Sequence, residues 1–119
     1  MNASLTLLCA GLAVAAIAVS AAAAQDMATS SKHTAVVLDN ARVRVLEVNL
    51  APGESTGMHS HGDNLVVFIS GGKATQTMAD GSTKAIDRKA GEVTWSDPVT
   101  HDTTNTGKAA VRSLVIELK

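Results

Sequence analysis

From Thr34 to the end, the apolar residues of this chain recur at short range and are cut by turn residues roughly every 8–12 positions. That spacing constrains the fold more than any other feature. Thr34–Leu38 is rich in β-branched residues. Val43 and Val45 alternate with arginines, whereas Leu46, Val48 and Leu50 alternate in the opposite phase. A phase change of one residue predicts a β-bulge here, or a strand covered on both faces. Ala51-Pro52-Gly53-Glu54 reads as a turn. Leu65–Ile69 is a continuous apolar run, too short for a helix and closed by Ser70-Gly71-Gly72, so it is expected to be a central strand buried on both faces. Lys73–Met78 and Ser82–Asp87 flank Ala79-Asp80-Gly81, the signature of a hairpin. Further turns at Lys89-Ala90-Gly91, Asp97-Pro98 and Thr106-Gly107-Lys108 lead into strands over 92–95, 101–105 and 110–118. No window after the first 24 residues offers a helical period of useful length. The pattern is all-β, a sandwich or a barrel.

Residues 1–24 have another character. Leu5–Val19 is an apolar core of signal-peptide length, and Ala22 and Ala24 give an A-x-A pattern before Gln25. This reads as a secretory signal cleaved near Ala24, despite the lack of Lys or Arg ahead of the apolar core. The expected location is periplasmic or secreted, with no stable membrane anchor after cleavage. The competing reading is an uncleaved anchor helix, since the stretch approaches bilayer-spanning length. Residues 25–33 are polar and are expected to be a flexible tail, leaving 34–119 as the single domain. Cys9, the chain's one cysteine, lies inside the signal, so the mature protein is expected to lack disulfides, thiolate catalysis and cysteine ligands. Net charge is −1 and no basic run occurs, which argues against nucleic acid as a partner. One Phe, one Trp and no Tyr leave little for stacking on bases or sugars.

Two of the chain's four histidines stand side by side in Met58-His59-Ser60-His61, just before the apolar run. On a strand, residues i and i+2 point to one face, so His59 and His61 aim at one point. Two such imidazoles can share a divalent metal, with a third ligand from another strand. His101, in a second turn-flanked strand, is the candidate. Asp63 has the same parity and is a possible extra oxygen ligand, unless the turn beside Gly62 takes it to solvent. Met58, Phe68 and Trp95 are expected to line the pocket or the core around it. His33 is assigned to the tail. Arg42, Arg44, Glu54 and Glu92 are expected to be solvated, and Asn105 to satisfy backbone groups in a turn.

These residues resemble the two motifs of the cupin superfamily. Gly53-x5-His59-x-His61-x3-Leu65-x6-Gly72 is similar to the first motif except at Leu65, where most metal-binding members carry glutamate. Gly91-x5-Asp97-Pro98-x2-His101-x3-Asn105 is similar to the second, with its Pro-x-Gly turn shortened by about one residue. The likeness runs from about Val43 to Leu118. It is strongest to small stand-alone bacterial cupins, some of them named for β-alanine degradation. It implies a double-stranded β-helix, the cupin jelly-roll barrel, with His59, His61 and His101 as ligands of a divalent metal ion such as Zn, Ni, Mn or Fe. With leucine at the glutamate position, the expected set is three imidazoles and water. Three readings stay open: a metal-dependent enzyme acting on a small polar molecule, a small-ligand binding or sensing protein, and a structural module with a relic site. A homodimer fits all three.

Overall fold

The computed structural model describes residues 31–119, and the expected signal peptide lies outside the described residues. Nine strands run in chain order: β1 (Thr34–Asp39), β2 (Val43–Leu50), β3 (His59–His61), β4 (Asn64–Phe68), β5 (Gly72–Met78), β6 (Thr83–Arg88), β7 (Val93–Ser96), β8 (Val99–Asn105) and β9 (Val111–Leu118). They form two antiparallel sheets, β1-β2-β9-β4-β7 and β3-β8-β5-β6. The architecture is all-β, as the turn spacing implied, and it is the jelly roll that the motif resemblance implied. Among the described residues no helix is long and apolar enough to cross a membrane.

The inner face of the five-stranded sheet carries the core. Leu46 and Val115 are buried, and Val48 and Val66 pack against them. The phase change in β2 proves not to be a bulge. β2 pairs with β9 without a break from Val43↔Leu118 to Leu50↔Val111. The register shift lies in β1, between Val36 and Leu38. What confused the period in β2 is Arg44, a buried residue on the same face as Leu46. The expectation that Arg44 is solvated is therefore corrected, and the reason is an ion pair described below.

β4 also departs from expectation. It sits between β9 and β7, but its two faces differ. Asn64 and Phe68 are buried and point inward with Val66, whereas Leu65 and Val67 are half-buried on the outer face and Ile69, beyond the strand, is exposed. A continuous apolar run cannot reveal this, because one face of it covers the core and the other does not.

The β5–β6 hairpin turns through Gly81, whose φ of 85° suits glycine. Its register, from Gly72↔Arg88 to Thr77↔Thr83, sets Ala74 and Gln76 beside Ile86 and Lys84 on the inward face. His33 is packed rather than free: its carbonyl accepts from Asn49 N, and its Nδ1 lies 3.3 Å from Glu54 Oε2.

Candidate metal centre

β3 is a three-residue strand, and its alternation turns His59 and His61 inward, each less than a tenth exposed. It pairs with β8 in the register His59↔His101, which sets the third imidazole beside the first. The ring centroids are 4.7 Å (His59–His61), 4.8 Å (His59–His101) and 5.5 Å (His61–His101) apart, with interplanar angles of 84°, 67° and 88°. One nitrogen from each ring can be chosen so that all three lie within 4.8 Å of one another. Three imidazoles around one tetrahedral ion at the usual Zn–N distance require centroids about 5 Å apart.

The hydrogen bonds decide which nitrogens are available. His59 Nδ1 lies 2.7 Å from the carbonyl of Gly57. A carbonyl only accepts, so Nδ1 carries the proton and Nε2 is left as a bare lone pair. His61 Nδ1 donates in the same way to Glu117 Oε1 at 2.7 Å. Glu117 is fully buried, and its other oxygen accepts from Arg44 Nε, also at 2.7 Å. The chain Arg44–Glu117–His61 fixes the tautomer of a prospective ligand, as carboxylates behind metal-bound histidines do. His101 Nδ1 is buried and has no hydrogen-bond partner. Burial in natural folds rarely leaves such a nitrogen bare. Two imidazoles with committed protons and a third with an unpartnered nitrogen fit a divalent ion, and the donor set suits Zn²⁺ and its borderline neighbours.

Burial favours the neutral form of His59 and His101. It is the main cause of the lowered pKa of His59, opposed in part by the hydrogen bond to Gly57. Burial, followed by repulsion from His59 and His61, pushes His101 down to about 4. A neutral imidazole is the form that binds metal.

The loop before β3 is held from behind. Asp102, the neighbour of His101 on the opposite face of β8, accepts from the hydroxyls of Ser55 and Thr56 and from Gly57 N. Gly57 has a φ of 76°, and that left-handed turn helps present its carbonyl to His59. Asn105 closes the next turn, donating to the carbonyls of Leu50 and Ala109 and accepting from Gly107 N.

The other residues singled out in the sequence are dispersed. Phe68 is buried and lines the cavity that opens from the imidazoles. Trp95 touches that cavity but is 53 % exposed, with Nε1 bonded to Asp97, so it is not a core residue. Met58 is 47 % exposed and does not line the cavity. Asp63 is exposed and lies outside the histidine cluster. Leu65 pairs with Trp95 and Ile116 on the outer sheet face. The side chains that β4 turns toward the cavity are Asn64, Val66 and Phe68. Sequence reasoning missed Glu117, Arg44, Asn64 and Asp102. The signal for Glu117 was available: it shares the parity of the buried Ser113 and Val115 on β9.

A two-sheet β-barrel with an inward cluster of three imidazoles at one end of its cavity defines the class of protein. Comparison with known proteins agrees. No family model matches the chain, and no curated protein is significantly similar to it. Solved structures are. A cupin domain protein from Bordetella pertussis Tohama I superposes with a TM-score of 0.67 at 28% identity, covering 72% of this chain and 91% of its own. A Klebsiella pneumoniae protein described as carrying a double-stranded β-helix domain gives a TM-score of 0.60 at 20% identity, over 80% of this chain and 85% of its own. The polyketide cyclase RemF from Streptomyces resistomycificus gives 0.55 at 21% identity, over 74% of this chain and 66% of its own. The chain is a small member of the cupin superfamily.

Proposed function

We propose that this protein is an exported cupin that binds one divalent transition metal through His59, His61 and His101 and holds a small polar molecule beside it. One observation carries the reading. His59 and His61 each have Nδ1 committed to an acceptor, and the buried Nδ1 of His101 has none. An ion bound there would supply Lewis acidity to a carbonyl or carboxylate oxygen. The chain's own residues bind and orient. Glu117 and Gly57 fix the rings, and Asn64 and the apolar wall of Val48, Val66 and Val115 shape the space in front of them. The test is elemental analysis of the purified protein beside His59→Ala. Stoichiometric metal in the parent and its loss in the variant are expected. Metal-free protein after incubation with excess Zn²⁺, Ni²⁺ or Mn²⁺ would refute the reading. Turnover on a panel of small carbonyl and carboxylate compounds separates an enzyme from a binding protein.

Export rests on the apolar first 24 residues and their A-x-A end, and N-terminal sequencing of exported protein is expected to begin at or near Gln25. The outer face of the five-stranded sheet favours self-association. Leu38, Val45, Ile116, Leu65 and Trp95 stand in one register row across all five strands. Leu38 and Trp95 are about half exposed. The five strands of this face hold 31 residues, an area on the order of 500 Å². That comes near the lower bound of specific interfaces, about 600 Å² per partner, so the occupant we assign is a second copy of this chain.

A further inference from the structure

The cavity that begins at the imidazoles has a volume of about 290 Å³, and its wall is unevenly charged. Lys84 and Arg88 line it, and no aspartate or glutamate does. Both cations come from β6, and their separation of four residues puts them on one face of that strand. Gln76 stands opposite Lys84 on β5.

Arg88 is the more telling residue. Its Nη1 donates to Glu92 Oε1 at 3.1 Å, while its Nε is buried without a hydrogen-bond partner. Its guanidinium carbon lies 5.8 Å from the centre of the Phe68 ring, which holds the group against the cavity wall. Among the described residues, only one other buried side-chain nitrogen or oxygen lacks a partner, His101 Nδ1, and His101 lines the same cavity. Folded proteins seldom leave such groups bare, and here they stand at the two ends of one cavity.

The register places the two ends. Met78 pairs with His101, Gln76 with Lys84 and Gly72 with Arg88. The six residue steps of β5 from Gly72 to Met78 span about 20 Å of backbone, with Lys84 opposite a point between the ends. Side chains reaching in from both ends shorten the gap. The volume sits at the small end for ligand sites, which suits a small molecule. The planar guanidinium fork matches the geometry of a carboxylate.

We propose that the cavity takes a small, extended organic carboxylate, its acid group held by Arg88 and Lys84 and its other end turned toward the imidazoles. This deepens the metal-binding reading and rests on it for the far end of the ligand alone.

The test is calorimetric titration of the purified protein with adipate, with its neutral isostere adipamide and with inorganic phosphate. Each is measured on zinc-loaded and on EDTA-treated protein. Adipate is expected to bind, with adipamide and phosphate at least 10-fold weaker. Arg88→Gln and Lys84→Gln are each expected to weaken adipate at least 5-fold while leaving zinc affinity unchanged. Arg88 also ties Glu92, so Lys84→Gln, at an exposed residue, keeps the result readable if Arg88→Gln fails to fold. Equal binding of adipate and adipamide, preference for phosphate, or no effect of Lys84→Gln would overturn the proposal. Zinc binding without adipate binding overturns it alone. Adipate binding without zinc binding overturns the metal reading and leaves the carboxylate site standing.

Discussion

Glu117 is the residue whose removal reports most about the site. It neutralises buried Arg44 and holds His61 in the tautomer that frees Nε2. Glu117→Gln is expected to weaken zinc binding about 10–100-fold, as loss of a carboxylate behind a metal-bound histidine does. It removes the buried negative charge that faces both Arg44 and His61, so urea unfolding should show a loss of about 3–5 kcal/mol. Leu65→Glu makes the opposite point. If the glutamate position of the family motif lay at Leu65, this variant would tighten metal binding. Leu65 faces outward beside Trp95, so zinc affinity should stay within about twofold of the parent in a competition titration. The imidazoles also set a pH dependence. His101 has a pKa of about 4, against about 6.5 unfolded, so the unfolded chain binds more protons between these values. Stability of the metal-free protein is therefore full above about pH 6.5 and falls as pH drops toward 4. Urea midpoints across that window should decline for the parent and decline less for His101→Gln. The histidine triad was legible because a period of two fixes which side chains share a face. The tautomers were not, because they depend on acceptors that fold in from Gly57 and from the last strand.

At the scale of elements, the strands before and after the site do different work. β4 turns Val66 onto the Leu46–Val115 core. Val66→Asp should cost about 3 kcal/mol or more, which for a domain of this size lowers the melting temperature by roughly 12 °C or more. A variant that melts with the parent would show that β4 faces the other way. The loop before β3 is positioned by Asp102 through three donors in residues 55–57. Asp102→Ala should release the Gly57 carbonyl from its place behind His59, and weaken zinc binding with only a modest loss of thermal stability. Turn residues and the Asp-Gly hairpin marked where strands end. The apparent bulge in β2 was misplaced because a buried, paired arginine looks like a solvated one in sequence. The two faces of β4 looked alike for a related reason: apolar residues occupy both, although only one covers the core.

For the whole molecule, the continuous apolar row on the outer sheet face is the feature a lone barrel does not use. Light scattering at micromolar concentration should report a dimer for the parent and a monomer for Trp95→Glu or Leu65→Glu, with near-unchanged zinc binding in both. A dimer that survives both substitutions would place the contact elsewhere. Leu65→Glu thus reads at two scales, as a control for the metal centre and as a probe of this face.

Local signals in the sequence determined most of the strands and turns, the all-β class and the shared face of His59 and His61, because these depend on periodicity and on residues within one or two strands. Tertiary structure alone decided the rest. Glu117 stands behind His61 from 56 positions away in the chain. Arg44 is buried because that same carboxylate is there to pair with it. Lys84 and Arg88 face the cavity because a hairpin register puts them inward, and Leu65 faces out because of how β4 sits between β9 and β7. Each of these depends on which strand lies next to which, a choice made by the packing of the two sheets and by charges that are tolerable in the interior only when paired.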